Sequence, residues 1–255
     1  MTHFDLAIIG TGSGNTILDE RYTDMSVAIC EQGVFGGTCL NVGCIPTKMF
    51  VYTAEVAETV SDSARFGVDT HAEDVRWPDI VSRIFGRIDP LSAGGENFRR
   101  SLPNVTVYKS HTRFGADRNG RYVLRTDEDD EFTAEKVVIA AGSRVVVPPA
   151  IANCGVDYYT SNTIMRIPAL PEHLVIVGGG YVAAEFAHIF SSLGTRITLV
   201  IRGGTLLRGH DDTVMMRFTD IAAKKWEIRS HVEVADAKQD GDGVTLTLTD
   251  ESTLQ

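Results

Sequence analysis

Two segments of the chain share the pattern that most restricts its fold, a short apolar run that opens directly into a Gly-x-Gly turn. The segments DLAIIGTGSGN, at 5–15, and HLVIVGGGYVA, at 173–183, align at a constant offset. Each is followed by a helical pattern, at 16–22 and at 184–193, and then by a β-branched run, at 27–30 and at 196–201. This order of strand, glycine turn, helix and strand opens a dinucleotide-binding fold, in which the glycines let the backbone approach a pyrophosphate. Two copies in register are stronger evidence than one.

The residues that follow the two turns predict different ligands. Asn15 stands at the third glycine position of the first copy, a departure that predicts a looser contact between helix and strand, whereas Ala183 in the second copy is an accepted variant. Glu31 ends the first β-branched run, where a carboxylate can accept hydrogen bonds from ribose hydroxyls. Arg202 ends the second, with Arg208 after it, and guanidinium groups favour a 2′-phosphate. The alternative for both arginines is a solvated loop face.

The motif GGTCLNVGCIPTK, at 36–48, places Cys39 and Cys44 five positions apart. In a regular helix such residues rise about 7.5 Å, whereas a disulfide tolerates a Cα separation of roughly 4.4–6.8 Å, so a bonded pair requires a bent chain. Gly43 is one of the breakers that supply the bend, and Pro46 suits the first turn of a helix at 47–52. Cys44 then lies near a helix N-terminus, which favours a thiolate.

Between the two copies, the patterns predict a helical region at 77–100 and several short strands. The helical region is expected to be broken at Pro90 and at Gly94–Gly95. The predicted strands lie at 105–108, 122–124 and 137–139, and the alternation at 244–248 predicts a strand of a hairpin that the end of the chain interrupts.

Composition excludes several classes of function. The net charge of −10 disfavours nucleic acid or an anionic membrane as a partner, and no apolar run approaches the roughly 20 residues of a membrane span. The start of the chain shows no secretory pattern, which predicts a cytoplasmic protein, where a close cysteine pair is more often metal-binding or catalytic than structural. No metal site is predicted, since Cys30 and Cys154 are isolated and the seven histidines show no paired spacing.

With the cysteine motif placed after the first glycine turn, the chain resembles, from Phe4 to its end, the N-terminal half of the FAD-dependent pyridine nucleotide–disulfide oxidoreductases. The resemblance implies an α/β protein with two Rossmann-like (βαβ) dinucleotide-binding domains in a three-layer FAD/NAD(P)-binding fold, the second one truncated. It implies that residues 1–165 form an FAD-binding domain with a redox-active disulfide, and that the later segment of this domain is missing. Residues 166–255 would form the N-terminal part of an NADP-binding domain.

The resemblance also implies the roles of individual residues. Cys39 would attack a substrate disulfide, and Cys44 would be the thiolate against the flavin. Lys48 would pair with Glu185 beside the flavin. Cys39, Cys44, Lys48 and Glu185 are therefore the predicted catalytic residues. For Lys48 the alternative is a surface position on a helix, and for Tyr181, which the resemblance assigns to the nucleotide site, it is a buried aromatic side chain. The implied cofactor-binding residues are Gly10, Gly12, Ser13, Gly14, Glu31, Thr38, Lys48, Thr112 and Gly142 for FAD, and Gly178, Gly180, Tyr181, Val182, Ala183, Arg202 and Arg208 for NADPH.

The implied function is reduction of a low-molecular-weight disulfide by NADPH, through FAD and the cysteine pair. Glu20 disfavours glutathione, whose carboxylates call for basic residues, and acidic and neutral groups suit the hydroxyls of a sugar thiol. The alternatives are a relative specific for glutathione or dihydrolipoamide, a non-catalytic FAD/NADP-binding module, and a thiol sensor without flavin.

Full-length members of the family form homodimers and carry a His–Glu acid/base pair in a C-terminal domain. None of the seven histidines matches that position, so the sequence predicts an incomplete form. We expect this chain alone to bind FAD weakly and not to turn over a disulfide, since general acid–base help is worth about 10²–10⁴-fold.

Overall fold

The computed structural model describes residues 1–116, 120–241 and 243–255. Its helices are α1 (Gly37–Asn41), α2 (Cys44–Ser61), α3 (Trp77–Ser101), α4 (Pro149–Ala152), α5 (Tyr181–Ser192) and α6 (Asp212–Ala222). Its strands are β1 (Thr2–Ile9), β2 (Val27–Cys30), β3 (Val105–Tyr108), β4 (Thr112–Phe114), β5 (Tyr122–Thr126), β6 (Glu131–Ile139), β7 (His173–Val177), β8 (Arg196–Ile201), β9 (Glu227–Ser230), β10 (Val234–Asp240), β11 (Gly243–Leu248) and β12 (Thr253–Leu254).

The chain divides into two compact units. The first comprises Met1–Pro46 and Arg83–Arg144, and the second comprises Thr47–Ser82 and Val145–Gln255. This division differs from the predicted boundary at residue 165, because most of α2 and the segment after residue 144 belong to the second unit. Hydrogen bonds within that unit give the reason: Trp77 Nε1, for example, donates to the Ile167 carbonyl at 2.8 Å.

The first unit contains a six-stranded sheet in the order β3-β2-β1-β6-β5-β4. The first four strands in this order run parallel, and β5 and β4 continue the sheet antiparallel. The central strand β1 is buried on both faces, since Leu6 and Ile8 join one apolar cluster while Phe4 and Ala7 join another. Burial on both faces explains the continuous apolar run in the sequence and confirms the α/β class.

No α-helix follows the first glycine turn, so the prediction of a helix at 16–22 is wrong. Two short 3-10 turns, Ser13–Ile17 and Glu20–Tyr22, replace it. The Asp19 carboxylate accepts a hydrogen bond from the Arg21 amide at 3.0 Å and so begins a separate turn. Asn15, in place of a third glycine, lies within the first of these turns.

Helix α3 is continuous, so the predicted breaks at Pro90 and at Gly94–Gly95 are also wrong. Proline at position 90 removes the hydrogen bond to the Gly86 carbonyl, but both residues are exposed and water can satisfy that carbonyl. Ile84 and Ile88 are fully buried, so packing of this face holds the helix together despite its breakers.

The second unit contains the parallel sheet β7-β8-β9, with α5 connecting β7 to β8, and the antiparallel sheet β10-β11-β12. Strand β11 pairs with β10 on one side and with β12 on the other, which extends the predicted hairpin to three strands. In the part of the chain that the structure describes, no helix is both long and apolar enough to cross a membrane.

Candidate functional site

The first glycine turn is closed by the end of β6. Gly10 has φ +103°, and a Cβ on it would lie 2.2 Å from the Ala140 carbonyl oxygen. A Cβ on Gly14 would lie 2.2 Å from the Ala140 Cβ. Because Ala140 is itself fixed by a hydrogen bond from its amide to the Ile9 carbonyl at 2.8 Å, both positions require glycine.

Glu31 follows β2 and is oriented by the turn itself. Its Oε2 accepts hydrogen bonds from the Thr11 amide at 3.0 Å and from the Thr11 hydroxyl at 2.6 Å, and its Oε1 accepts one from the Gly33 amide at 2.7 Å. Thr11 is only 3% exposed. The carboxylate is therefore fixed at the carboxyl edge of the sheet, with lone pairs left for ribose hydroxyls. Sequence reasoning missed Thr11, because its partner lies 20 positions away.

The cysteine motif packs on the same turn. Gly37, where α1 begins, has φ +61°, and a Cβ on it would lie 2.6 Å from the Gly12 Cα. The chain bends between α1 and α2 at Val42–Gly43, which confirms the bend predicted from the spacing of Cys39 and Cys44. The buried side chain of Asn41 fixes the segment before the bend, because its Nδ2 donates to the carbonyls of Phe35, at 2.7 Å, and Gly37, at 3.0 Å.

Both cysteines of the motif are free, exposed thiols, and Cys44 is the first residue of α2. A hydrogen bond with the Cys44 side chain, followed by desolvation, raises the pKa of Cys39 above that of an ordinary thiol. The Cys44 thiol therefore lies near enough to Cys39 to disfavour its ionisation, as expected of an exchangeable pair. Formation of a disulfide between them stays a prediction.

The remaining residues predicted to bind FAD lie at several places in the first unit. Ser13 and Thr38 are exposed at the starts of the first 3-10 turn and of α1. Thr112 is buried at the start of β4 and interacts with the Cys30 thiol. Burial of Cys30 raises the pKa of that thiol, and a hydrogen bond with Thr112 partly offsets the rise. Thr112 therefore lies beside the residue that precedes Glu31. Gly142 has φ +71° and open space around it.

The second glycine turn begins the twelve-residue helix α5, with Gly180 at its N-cap. Gly178 has φ +135°, and a Cβ on it or on Gly180 would meet nothing within 4 Å. The middle residue, Gly179, is instead tightly packed, since a Cβ there would lie 2.8 Å from the Ile201 side chain. The turn is therefore open on the side where a ligand would approach.

The residues predicted to bind NADPH surround this turn. Tyr181 is 68% exposed on the first turn of α5, so it is not a buried aromatic; Val182 is exposed and Ala183 buried beside it. Arg202 follows β8 directly and, like Arg208, is exposed. The Leu207 amide donates to the Gly179 carbonyl at 2.6 Å and so holds the arginine-bearing loop against the turn.

Lys48 and Glu185 form the predicted pair, an ion pair between Lys48 Nζ on α2 and Glu185 Oε1 on α5, both in the second unit. Lys48 is 65% exposed and Glu185 29%. The pair borders a cleft of about 380 Å³ between α2, α5 and α6, whose walls include Val51, His188 and Trp226. The role of the pair beside a flavin stays a prediction.

These observations test whether the chain can hold the implied cofactors. At the first turn, Gly10 and Gly14 let the backbone pass close to Ala140, where any side chain would clash. The oriented carboxylate of Glu31 lies at the end of the next strand, β2. At the second, open glycines lead into a long helix whose first amides are available to a pyrophosphate. The residues present therefore fit a dinucleotide at each turn. Among the described residues, no three His, Cys, Asp or Glu side chains are grouped as a metal site requires.

Comparison with known proteins gives a family for the chain. The family model described as pyridine nucleotide-disulphide oxidoreductase matches residues 4–255. The chain is 64% identical over 255 residues to mycothione reductase from Mycobacterium tuberculosis (strain ATCC 25618 / H37Rv), covering all of this chain and 56% of that protein. It is 34% identical over 254 residues to dihydrolipoyl dehydrogenase from Acholeplasma laidlawii, covering 96% of this chain and 73% of that protein.

Among solved structures, the HOCl-induced flavoprotein disulfide reductase RclA from Escherichia coli matches with a TM-score of 0.80 and 25% identity, over 98% of this chain and 54% of that one. The chain spans 56% of the length of the mycothione reductase that it matches, about half. The match over residues 4–255 agrees with the glycine turns and the cysteine motif, and the chain belongs to the pyridine nucleotide–disulphide oxidoreductase family.

Proposed function

We propose that this chain is part of an NADPH-dependent flavoprotein that reduces a low-molecular-weight disulfide, with mycothione, the disulfide of the sugar thiol mycothiol, as its substrate. One observation carries the proposal. The helix that bears Cys39 begins at Gly37, which packs directly on Gly12 of the first glycine turn. This contact brings a thiol pair to the residues that fit a dinucleotide, as electron transfer from a bound flavin requires.

The first unit would hold FAD. The turn consists of Gly10, Gly12, Ser13 and Gly14, and Glu31 would accept hydrogen bonds from the adenosine ribose. The resemblance implies three further FAD-binding residues, Thr38, Thr112 and Gly142. Lys48 is assigned to the flavin by the resemblance alone. When bound, FAD would accept hydride from NADPH and return an electron pair to the cysteine disulfide.

The thiol chemistry follows from the two cysteines. The Cys39 thiolate attacks one sulfur of the substrate disulfide, which forms a mixed disulfide and releases the first thiol. Cys44 then attacks the Cys39 sulfur, forms the Cys39–Cys44 bond and releases the second thiol. The pair loses two electrons and the substrate gains them. Because the pKa of Cys39 is raised, its proton must be removed before attack, which is the task of the family's His–Glu pair.

Lys48 and Glu185 would act on charge rather than on bonds. An ammonium group beside a reduced flavin stabilises the negative charge that the ring acquires. Glu185 orients that ammonium group through the observed ion pair.

The choice of mycothione rests on two observations. The chain is 64% identical to a mycothione reductase, and Glu20 lies in the segment after the first turn, where it disfavours the carboxylates of glutathione. Assembly as a homodimer stays a prediction of the resemblance, and a cytoplasmic location stays a prediction from the sequence pattern.

A single-turnover exchange reaction at alkaline pH, where the Cys39 thiol ionises in water without the family's His–Glu pair, tests the proposal. The reduced 255-residue chain is mixed with mycothione or with glutathione disulfide, and the released thiol is measured over time. We expect faster release from mycothione, loss of release in Cys39→Ser, and no change in the matched control Cys154→Ser. Equal rates with the two disulfides would contradict the substrate, and release that survives in Cys39→Ser would contradict the role of the pair.

A further inference from the structure

The end of β9 places a histidine beside the arginine-bearing loop. His231 has φ +59°, a left-handed conformation that residues other than glycine seldom adopt and that often marks a functional position. Its amide donates to the Gly203 carbonyl at 3.2 Å, and the next amide, of Val232, donates to the Ile201 carbonyl at 3.3 Å. Two consecutive backbone hydrogen bonds therefore fasten His231 to the residues on either side of Arg202.

The imidazole lies against the two glycines that follow Arg202. A Cβ on Gly204 would lie 3.0 Å from His231 Nε2 and 3.2 Å from Cε1, so a larger residue there would displace the ring. A Cβ on Gly203 would lie 4.0 Å from Arg208 Cδ. Glycines at 203 and 204 thus let the side chains of Arg208 and His231 approach the same short stretch of backbone.

All three basic side chains are exposed, and among the described residues none makes a hydrogen bond or an ion pair with them. They stand at the carboxyl ends of β8 and β9, the edge of the parallel sheet at which the open glycine turn after β7 also lies. In a fold of this kind the adenosine ribose binds at the end of the strand next to the glycine turn. The side chains of Arg202, Arg208 and His231 could therefore donate hydrogen bonds to a phosphate group, which carries three acceptor oxygens.

We propose that His231 is a third binding residue for the 2′-phosphate of the nucleotide, together with Arg202 and Arg208, and that it contributes to the choice of NADPH over NADH. This inference rests on the proposed function, because it assumes that an adenine dinucleotide binds at the second glycine turn. His231 lies 29 positions after Arg202, so no local motif reveals it.

Calorimetric titration with two small nucleotides tests the inference. The probes are 2′,5′-ADP, which carries the 2′-phosphate, and 5′-ADP, which lacks it, and each is titrated into the 255-residue chain. The variants are His231→Asn, since asparagine tolerates the left-handed conformation, Arg202→Ala, and His210→Asn as a matched control on the same loop. We expect His231→Asn to weaken 2′,5′-ADP about tenfold, as loss of a charge-assisted hydrogen bond does, while 5′-ADP changes less than about twofold. His210→Asn should leave both affinities unchanged.

The outcomes separate this inference from the proposed function. Equal loss of both nucleotides in His231→Asn would show a structural role and overturn the inference. If the wild-type chain prefers 2′,5′-ADP and loses that preference in Arg202→Ala but not in His231→Asn, only the role of His231 fails. If the wild-type chain shows no preference for 2′,5′-ADP, the proposed use of NADPH fails as well.

Discussion

Replacing Gly10 by alanine should destabilise the first unit strongly, and the structure gives the size of the effect. At φ +103° an L-residue pays about 1–2 kcal/mol for the left-handed conformation. The added Cβ would also lie 2.2 Å from the carbonyl oxygen and 2.8 Å from the carbonyl carbon of Ala140, so one of the two segments must shift. Overpacking of this kind costs about 1–3 kcal/mol, which gives a total of about 2–5 kcal/mol.

The matched control is Gly95→Ala, in the part of α3 that belongs to the same unit. Gly95 is exposed and helical, and a Cβ there would meet nothing within 4 Å. Alanine should stabilise this position by about 0.5–1 kcal/mol, since glycine is the poorer helix former. The same substitution therefore has opposite expected signs at the two positions.

Urea denaturation followed by circular dichroism measures both free energies of unfolding, and hydrogen exchange of the β1 and β6 amides locates the loss. We expect Gly10→Ala to shift the transition to lower urea and to speed exchange in those two strands. An unfolding free energy of Gly10→Ala within about 0.5 kcal/mol of the wild type would refute the close approach of Ala140, as would equal destabilisation by Gly95→Ala.

Three further changes test other contacts. Thr11→Val removes the hydroxyl that donates to Glu31 and should lower the free energy of unfolding by about 1–2 kcal/mol in the same denaturation assay. Cys44→Ala should lower the pKa of Cys39 and move its alkylation by iodoacetamide to lower pH, because the hydrogen bond that raises this pKa is lost. Burial alone would raise the pKa of Glu58, but hydrogen bonds from Lys225 and Ser192 outweigh it. The pKa of Glu58 is therefore lower in the folded chain than in the unfolded chain. The ionised Glu58 carboxylate thus stabilises the fold at pH values above the ordinary carboxyl pKa, and this stabilisation is lost as the pH falls through the pKa of the folded chain. Glu58→Gln should therefore lower the free energy of unfolding more at pH 7 than at pH 3, by less than about 1 kcal/mol.

Much of the fold could be predicted from local sequence. The bounds of β2, β3 and β8 agree with the predicted strands residue for residue. Short β-branched runs favour extended structure, and a charged residue follows each of the three strands: Glu31, Lys109 and Arg202. The bend in the cysteine motif was also predictable, since the spacing of Cys39 and Cys44 excludes a straight helix.

The failures have non-local causes. Helix α3 continues through Pro90 because the face with Ile84 and Ile88 is buried, and burial is invisible in the local pattern. The glycine fingerprint singled out Gly10, but it did not predict that Ala140, from the end of another strand, approaches both Gly10 and Gly14. His231 was missed for the same reason, since its contacts join strands that are distant in sequence.

The central claim, that Cys39 and Cys44 receive electrons from NADPH, is tested most directly by counting thiols during an anaerobic titration. The oxidised 255-residue chain, in excess FAD, is titrated with NADPH, and free thiols are mapped by alkylation and peptide analysis. We predict that two thiols appear for each NADPH consumed, that both map to Cys39 and Cys44, and that none appears in Cys39→Ser. An oxidised chain in which both thiols are already free, or in which either is joined to Cys30 or Cys154, would contradict the claim.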